Sequence, residues 1–296
     1  MLTSLVLQGQ PATPEPSEAL VPWWSFTKTV LAATALSLVR DGLVELDRTV
    51  LGQRFTLRQL LRHEAGLADY GELAEYHAAV ANEERAWSAD EMMQRLDGLR
   101  LRYEPGTGWR YSNVGYLLIG RLIEQLTDLP LEQAVTQRAL TPLGLSDVRF
   151  ARTQADLQTT VPGIPADYDP AWVYHGLLIG SVSHAALFLD RLFHANLISR
   201  ELLEQMQTAR ALGGPIDGRP WISPGYGLGV MKGSVGGGLS LCGHTGCGPG
   251  SVIAVYRVVD GDTSACCAAF DAGVTEGDVE NFVTERLINA VRSHAT

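Results

Sequence analysis

Apolar positions recur at helical spacing along most of the chain and then give way to alternation. Between residues 25 and 40, Leu31, Ala35, Leu38 and Val39 share one side of a helix, and Gly42 stands just past its end, where a left-handed residue closes one. Residues 57–62 read as a short amphipathic turn that leads into His63-Glu64-Ala65-Gly66-Leu67. Helical periods return at 89–99, 114–126, 131–140, 183–193 and 199–208. Beyond residue 210 the texture changes to short apolar runs between glycine-rich turns, at 226–231, 238–242, 251–259 and 263–270, with Val258-Val259-Asp260-Gly261-Asp262 as a hairpin signal. A last amphipathic helix covers 274–293. Residues 1–22, with Pro11, Pro14, Pro16 and Pro22, read as a short strand and an extended leader.

This order predicts an α+β fold, an antiparallel sheet flanked by helices. Both chain ends (1–45 and 205–296) build the body, and 46–204 forms an inserted all-helical subdomain. A chain of 296 residues buries a substantial core, and 46% apolar against 19% charged residues is a globular balance. A net charge of -10 without a basic stripe argues against nucleic acid or an anionic membrane as partner. The longest mainly apolar run, 30–39, carries Thr34 and Ser37 and falls far short of the roughly 20 residues that span a bilayer. Residues 1–10 lack the basic start of a secretion signal, so a cytoplasmic location is expected. Cys242, Cys247, Cys266 and Cys267 crowd the last fifth of the chain, where a disulfide framework would spread them; reduced thiols are expected.

Of the 23 basic residues, all but Lys28 and Lys232 are arginine. Lysine can lose its proton when buried, which arginine does not, so a retained lysine points to chemistry. Lys28 closes the tetrad Ser25-Phe26-Thr27-Lys28 at the start of the first helix. Positions three apart share a helix face, the N-terminal N–H groups favour a developing anion, and a desolvated amine is a suitable base for a serine hydroxyl. With so few lysines, on the order of 0.1 accidental matches to the tetrad are expected. Tyr111-Ser112-Asn113 follows the turn Glu104-Pro105-Gly106 and precedes a helix; Tyr111 can relay a proton if a nearby cation lowers its pKa, and Asn113 can hold a substrate carbonyl and contact Lys28. His244-Thr245-Gly246-Cys247 ends a predicted strand, where a backbone N–H can join that of the nucleophile in an oxyanion hole and Gly246 admits substrate to the backbone.

Taken together, these three motifs resemble those of the serine β-lactamase and penicillin-binding superfamily, specifically its class C β-lactamase-like branch, which includes DD-peptidases, D-aminopeptidases and carboxylesterases. Supporting stretches are Leu60 to Leu67, Tyr103-Glu104-Pro105-Gly106, Pro142-Leu143-Gly144-Leu145 and Tyr226-Gly227-Leu228-Gly229. The resemblance implies a β-lactamase/transpeptidase-like fold and an acyl-enzyme on Ser25. It gives Lys28 and Tyr111 the proton traffic, with Tyr111 as base for the hydrolytic water, and Asn113 the orientation of substrate. It assigns the Ser25 and Cys247 N–H groups to the oxyanion hole and the rest of His244, Thr245, Gly246 and Cys247 to substrate binding. No cofactor is implied; the partner is a small ester, amide or peptide.

Two departures from the pattern matter. Only 24 residues precede Ser25, room for one short strand where the family has two, so the sheet is expected to lack N-terminal strands, with an open edge that a homo-oligomer can cover. His244 stands where many relatives have a lysine and is a weaker clamp for a substrate carboxylate, which favours an ester or peptide over a β-lactam. A pocket that binds without turnover is the alternative. His63-Glu64 does not start a zinc-protease motif, since Leu67 occupies the second histidine position, and no G-x-S-x-G elbow occurs. A metal held by Cys242, His244, Cys247 and Cys266 or Cys267 is disfavoured because neighbours on a strand face opposite sides.

Overall fold

The computed structural model describes residues 1–13, 17–161 and 168–294; Pro14 and Pro16 of the expected leader lie outside them. In chain order the strands are β1 (Leu2–Leu7), β2 (Gln10–Pro11), β3 (Leu20–Pro22), β4 (Arg149–Phe150), β5 (Leu178–Ser181), β6 (Arg210–Ala211), β7 (Gly225–Tyr226), β8 (Met231–Ser234), β9 (Ser240–Gly248), β10 (Ser251–Asp260) and β11 (Thr263–Ala272). The helices are α1 (Thr27–Arg40), α2 (Leu57–Leu61), α3 (Ala74–Ala81), α4 (Ala89–Leu96), α5 (Asn113–Thr127), α6 (Leu131–Val135), α7 (Gln154–Gln158), α8 (Val182–His194), α9 (Arg200–Gln207) and α10 (Glu276–His294). Among the described residues, no helix is long and apolar enough to cross a membrane.

Helix α1 is buried on every side from Thr27 to Leu38, as its nearly uninterrupted apolar run requires. Two of its four hydroxyls are satisfied within the helix, Thr34 donating to the Val30 carbonyl at 2.9 Å and Ser37 to the Thr34 carbonyl at 2.7 Å, while Thr29 donates to the Gly229 carbonyl at 2.8 Å and Thr27 accepts the Leu178 N–H at 3.2 Å. Gly42, at φ 73°, ends it as expected, with the Leu43 N–H on the Leu38 carbonyl and its own N–H on Val39.

The main sheet is antiparallel, in the order β2-β1-β11-β10-β9-β8-β7-β6. The expected hairpin closes with Asp260 opposite Thr263. Two strands differ from expectation. β9 runs on to Gly248 and so carries His244 to Cys247 within the sheet, and 226–231 divides into β7 and β8 around a turn in which the Gly227 N–H meets the Val230 carbonyl at 2.8 Å. The expected loss of N-terminal strands is a shortening instead. β1 pairs with β11 along all six of its residues, and the chain folds back so that β2 covers Val6 and Leu7 and the Ala12 N–H reaches the Leu5 carbonyl at 2.8 Å. The sheet edge is therefore closed along Leu5–Leu7.

The sheet separates two apolar layers. On one side α10 packs over Leu241, Val252, Ala254, Tyr256 and Cys267; on the other, Cys242, Val255 and Cys266 join the large core around α1, α5 and α8. Cys266 and Cys267 thus face opposite ways, as strand alternation dictates. α8 falls inside the expected 46–204 insertion but packs on β1, β10 and β11. A second sheet, β3-β5-β4, was not expected from the sequence; it ties Leu20–Pro22 to Ile179–Ser181 and sets the Trp23 N–H on the Leu178 carbonyl at 2.8 Å, just before Ser25.

Glu280 of α10 fastens the sheet to its helix. Fully buried, it accepts from Arg219 Nε at 2.6 Å, Trp221 Nε1 at 3.2 Å, Tyr256 Oη at 3.0 Å and the Thr245 hydroxyl. Without Glu280, Arg219 keeps Glu276 at 2.9 Å but the buried Trp221 N–H loses its acceptor and the Tyr256 and Thr245 hydroxyls lose a charged one, so Glu280→Ala is expected to cost about 3 kcal/mol in urea unfolding.

Candidate active site

Ser25 lies in a tight turn, Trp24–Phe26, immediately before α1. Trp24 adopts φ 40°, a left-handed conformation that a bulky residue takes only when its surroundings impose it. Its indole N–H donates to Ser251 Oγ at 3.0 Å and its ring meets Tyr168 edge-on at 5.8 Å, which fixes the turn from the sheet side. One helical turn on, Lys28 is fully buried, with Nζ 3.0 Å from Ser25 Oγ and 3.1 Å from His175 Nε2. The amine sits 5.0 Å from the Tyr111 ring centroid and 5.7 Å from that of Tyr116. Burial pulls the Lys28 pKa down to about 7, against a smaller opposing effect of Asp69, so the free amine is well populated at neutral pH.

The Tyr111-Ser112-Asn113 segment is held by residues the sequence did not single out for it. His63 Nδ1 accepts the Ser112 N–H at 3.1 Å, and the imidazole lies 4.3 Å from the Tyr111 ring and 4.7 Å from that of Tyr226. Ser112 caps α5 through the Gly115 N–H at 3.1 Å. Asp69 takes both the backbone N–H of Asn113, at 3.0 Å, and its side-chain amide, at 3.1 Å. The expected contact of Asn113 with Lys28 is thus replaced by one with Asp69, whose own carboxyl pKa is raised by burial. Tyr111 departs further from expectation. Burial raises its pKa well past the ordinary phenol value, with hydrogen bonding to Ser25 opposing, so the phenol keeps its proton where a cation-lowered pKa was anticipated.

On β9, alternation decides which residues face the nucleophile. A Cβ on Gly246 would stand 2.7 Å from the Ser25 nitrogen and 2.7 Å from the Trp23 carbonyl oxygen, so only glycine lets the strand lie against the turn. Thr245 points the other way, its hydroxyl bonded to Tyr256 Oη at 2.7 Å and to Glu280. His244 is buried. Burial and then the nearby Lys28 charge bring its pKa down to about 3, so it is neutral and not the weak cationic clamp the sequence suggested. Its Nδ1 lies 2.7 Å from the Thr245 carbonyl and so carries the proton, leaving Nε2 to accept the Tyr226 hydroxyl at 2.9 Å.

A cavity of about 880 Å³ opens over this group, lined by Ser25, Tyr111, Asn113, His244, Thr245 and Cys247 among others, with Lys28 beneath its floor. Asp69, Trp109, Tyr226 and Arg219 also line it and were missed; Arg219 is already bound to Glu276 at 2.9 Å and to Glu280. Tyr226 lay within a quoted family stretch, but its side chain carried no signal of its own. Among the described residues, no cluster of His, Cys, Asp or Glu is arranged to hold a metal.

An antiparallel sheet whose strand edge faces a helix-borne Ser-x-x-Lys pair defines the β-lactamase/transpeptidase-like architecture. The family model described as Beta-lactamase matches residues 4–263, and the chain belongs to that family. Over 133 residues the chain is 29% identical to penicillin-binding protein 4* of Bacillus subtilis, covering 42% of this chain and 29% of that protein. Over 154 residues it is 29% identical to esterase EstB of Burkholderia gladioli, covering 45% and 38%. The chain therefore spans well under half the length of these curated relatives. Among solved structures, D-amino acid amidase from Ochrobactrum anthropi SV3 superposes with a TM-score of 0.78 at 21% identity, over 99% of this chain and 93% of that one, a likeness of fold.

The closeness of Gly246 to the Ser25 turn gives a direct test. Gly246→Ala is expected to overpack the contact and lower unfolding free energy by about 1–3 kcal/mol, measured by chemical denaturation.

Proposed function

We propose that the protein is a serine hydrolase that acylates itself on Ser25 with ester or amide substrates. The observation that carries this reading is the buried Lys28 amine 3.0 Å from Ser25 Oγ, with its pKa brought down to about 7 by burial. The free amine takes the hydroxyl proton as Oγ bonds to the substrate carbonyl carbon. The oxyanion that forms is received by the backbone N–H groups of Ser25 and Cys247, which the Gly246 contact supports. As the tetrahedral intermediate collapses, the C–O or C–N bond breaks and the proton passes to the leaving alcohol or amine. Water then attacks the acyl carbon, the same base takes its proton, and Ser25 regains a hydrogen.

Tyr111, held protonated by burial and hydrogen-bonded to Ser25, carries that proton onward: as its hydroxyl gives a proton to the departing group it takes the one held by Lys28, so the phenol ends protonated and the amine free for the second half-reaction. Lys28 is then the base in both half-reactions. Asn113, fixed by Asp69, faces the cavity as the amide that orients the acyl group.

The substrate class follows from what the cavity withholds. His244 is neutral, the Thr245 hydroxyl is engaged, and Arg219 is neutralised by two glutamates, so a substrate carboxylate finds no free cation among these groups. This favours a carboxylesterase or D-amino-acid peptidase-like activity over β-lactam hydrolysis, and similarity to proteins named as an esterase and a D-amino acid amidase supports both bond types.

Exposure to a fluorophosphonate is expected to leave one covalent adduct on the Ser25 peptide by mass spectrometry; no adduct at high reagent excess would contradict the reading and leave a binding pocket without turnover. Because the base must be free amine, the labelling rate is expected to rise through about pH 7 and level off above it. Lys28→Arg, which stays charged, is expected to lose at least about a hundredfold. In turnover, a p-nitrophenyl ester is expected to exceed both a chromogenic cephalosporin and a D-Ala-D-Ala peptide in kcat/KM by at least about tenfold.

A further inference from the structure

Among the described residues Lys28 has two hydrogen-bonding partners, and only Ser25 belongs to the scheme above. The other, His175, sits in the segment that enters β5, at 3% exposure, and reaches Lys28 because β3 and β5 pair just ahead of the nucleophile turn. Its Nε2 lies 3.1 Å from Lys28 Nζ, while Nδ1 has no protein hydrogen-bond partner among the described residues. The imidazole does not line the 880 Å³ cavity over Ser25; it lines a separate cleft of about 1410 Å³ between α4, α5 and the β4 region.

We propose that His175 is a positioning residue for Lys28, a neutral acceptor that holds one amine N–H so that the nitrogen lone pair is aimed at Ser25. An imidazole protonated on Nδ1 accepts at Nε2 whether the lysine is amine or ammonium, so the bond survives both halves of the proton cycle. A carboxylate in that place would also orient the amine but would keep it charged and useless as a base. Burial and the Lys28 charge both disfavour a cationic His175, which keeps the partner neutral. The other groups facing Lys28 are Asp69 from the loop after α2, Tyr111 just ahead of α5, Tyr116 from its first turn, His63, and His244 of β9. Of these Asp69 is the one carboxylate, and it is bound to Asn113; the two aromatic faces also favour the ammonium, and burial outweighs these attractions.

The inference rests on Lys28 acting as base toward Ser25, and the test separates the two. The second-order rate of fluorophosphonate labelling of Ser25 is measured from about pH 5 to 9, with thermal melting of each variant recorded alongside. His175→Ala is expected to fall by at least about tenfold at the plateau, and His175→Gln, whose amide oxygen can reach the Nε2 position, to stay within about threefold with the limb unmoved. His175→Glu is expected to move the rising limb up by more than about one pH unit. A purely structural role would lower melting temperature without moving the limb. Labelling of His175→Ala at the wild-type rate, or a His175→Glu limb that stays in place, would overturn the proposal while leaving the acyl-enzyme reading intact. A wild-type protein that takes no label would overturn that reading itself.

Discussion

A lysine amine removed from water and given no carboxylate of its own is the constraint around which the site is organised. An ammonium so placed loses its hydration, and the loss shows as a pKa brought down toward neutrality. What surrounds Nζ brings no full negative charge into contact with it: one hydroxyl, one neutral imidazole and two aromatic faces, whose pull on a cation is weaker than the cost of burial. The same desolvation acts on every neighbour. It keeps Tyr111 protonated and His63, His175 and His244 uncharged, so a site with these four, Asp69 and Lys28 holds little formal charge apart from that of Asp69 and the shared Lys28 proton.

Keeping that arrangement dry and fixed falls to parts of the fold far from Ser25 in sequence. From below, α1 is enclosed on all sides. The β9 strand lies against the nucleophile turn only because Gly246 has no side chain, and β9 is in turn braced by the Thr245–Glu280–Arg219 group that joins it to α10. His63 and Asp69, brought by the loop after α2, fix the backbone of Ser112 and Asn113 and with it the aim of Tyr111. Three separate layers thus converge on one amine.

The helices and the long strands were legible because burial on one face writes a period into the sequence, and Ser25-x-x-Lys28 was legible because a three-residue spacing has one meaning on a helix. Helix α3 went unread, having a single buried residue and hence no stripe to show. The β3-β5-β4 sheet went unread because strands of two to four residues are too short to display alternation. Its consequence was the larger omission. His175 meets Lys28 across 147 residues of chain through that pairing, and nothing near His175 in sequence announces it. Tyr111 and His244 were legible as residues, but their protonation was not, since it depends on burial that only the folded structure supplies. The direction of the Thr245 side chain is recoverable from alternation once β9 is read as continuing through the motif.

With only Lys28 and Lys232 in the chain, the central claim is open to direct observation. In protein labelled with 15N at lysine Nζ, two side-chain signals are expected, and Lys28→Met assigns them by deletion. The Lys28 signal is predicted to titrate with a midpoint near the value of about 7 that its burial implies. A midpoint at the ordinary lysine value of about 10.4 would contradict the account, because the amine beside Ser25 would then be an ammonium throughout the neutral range and no base at all.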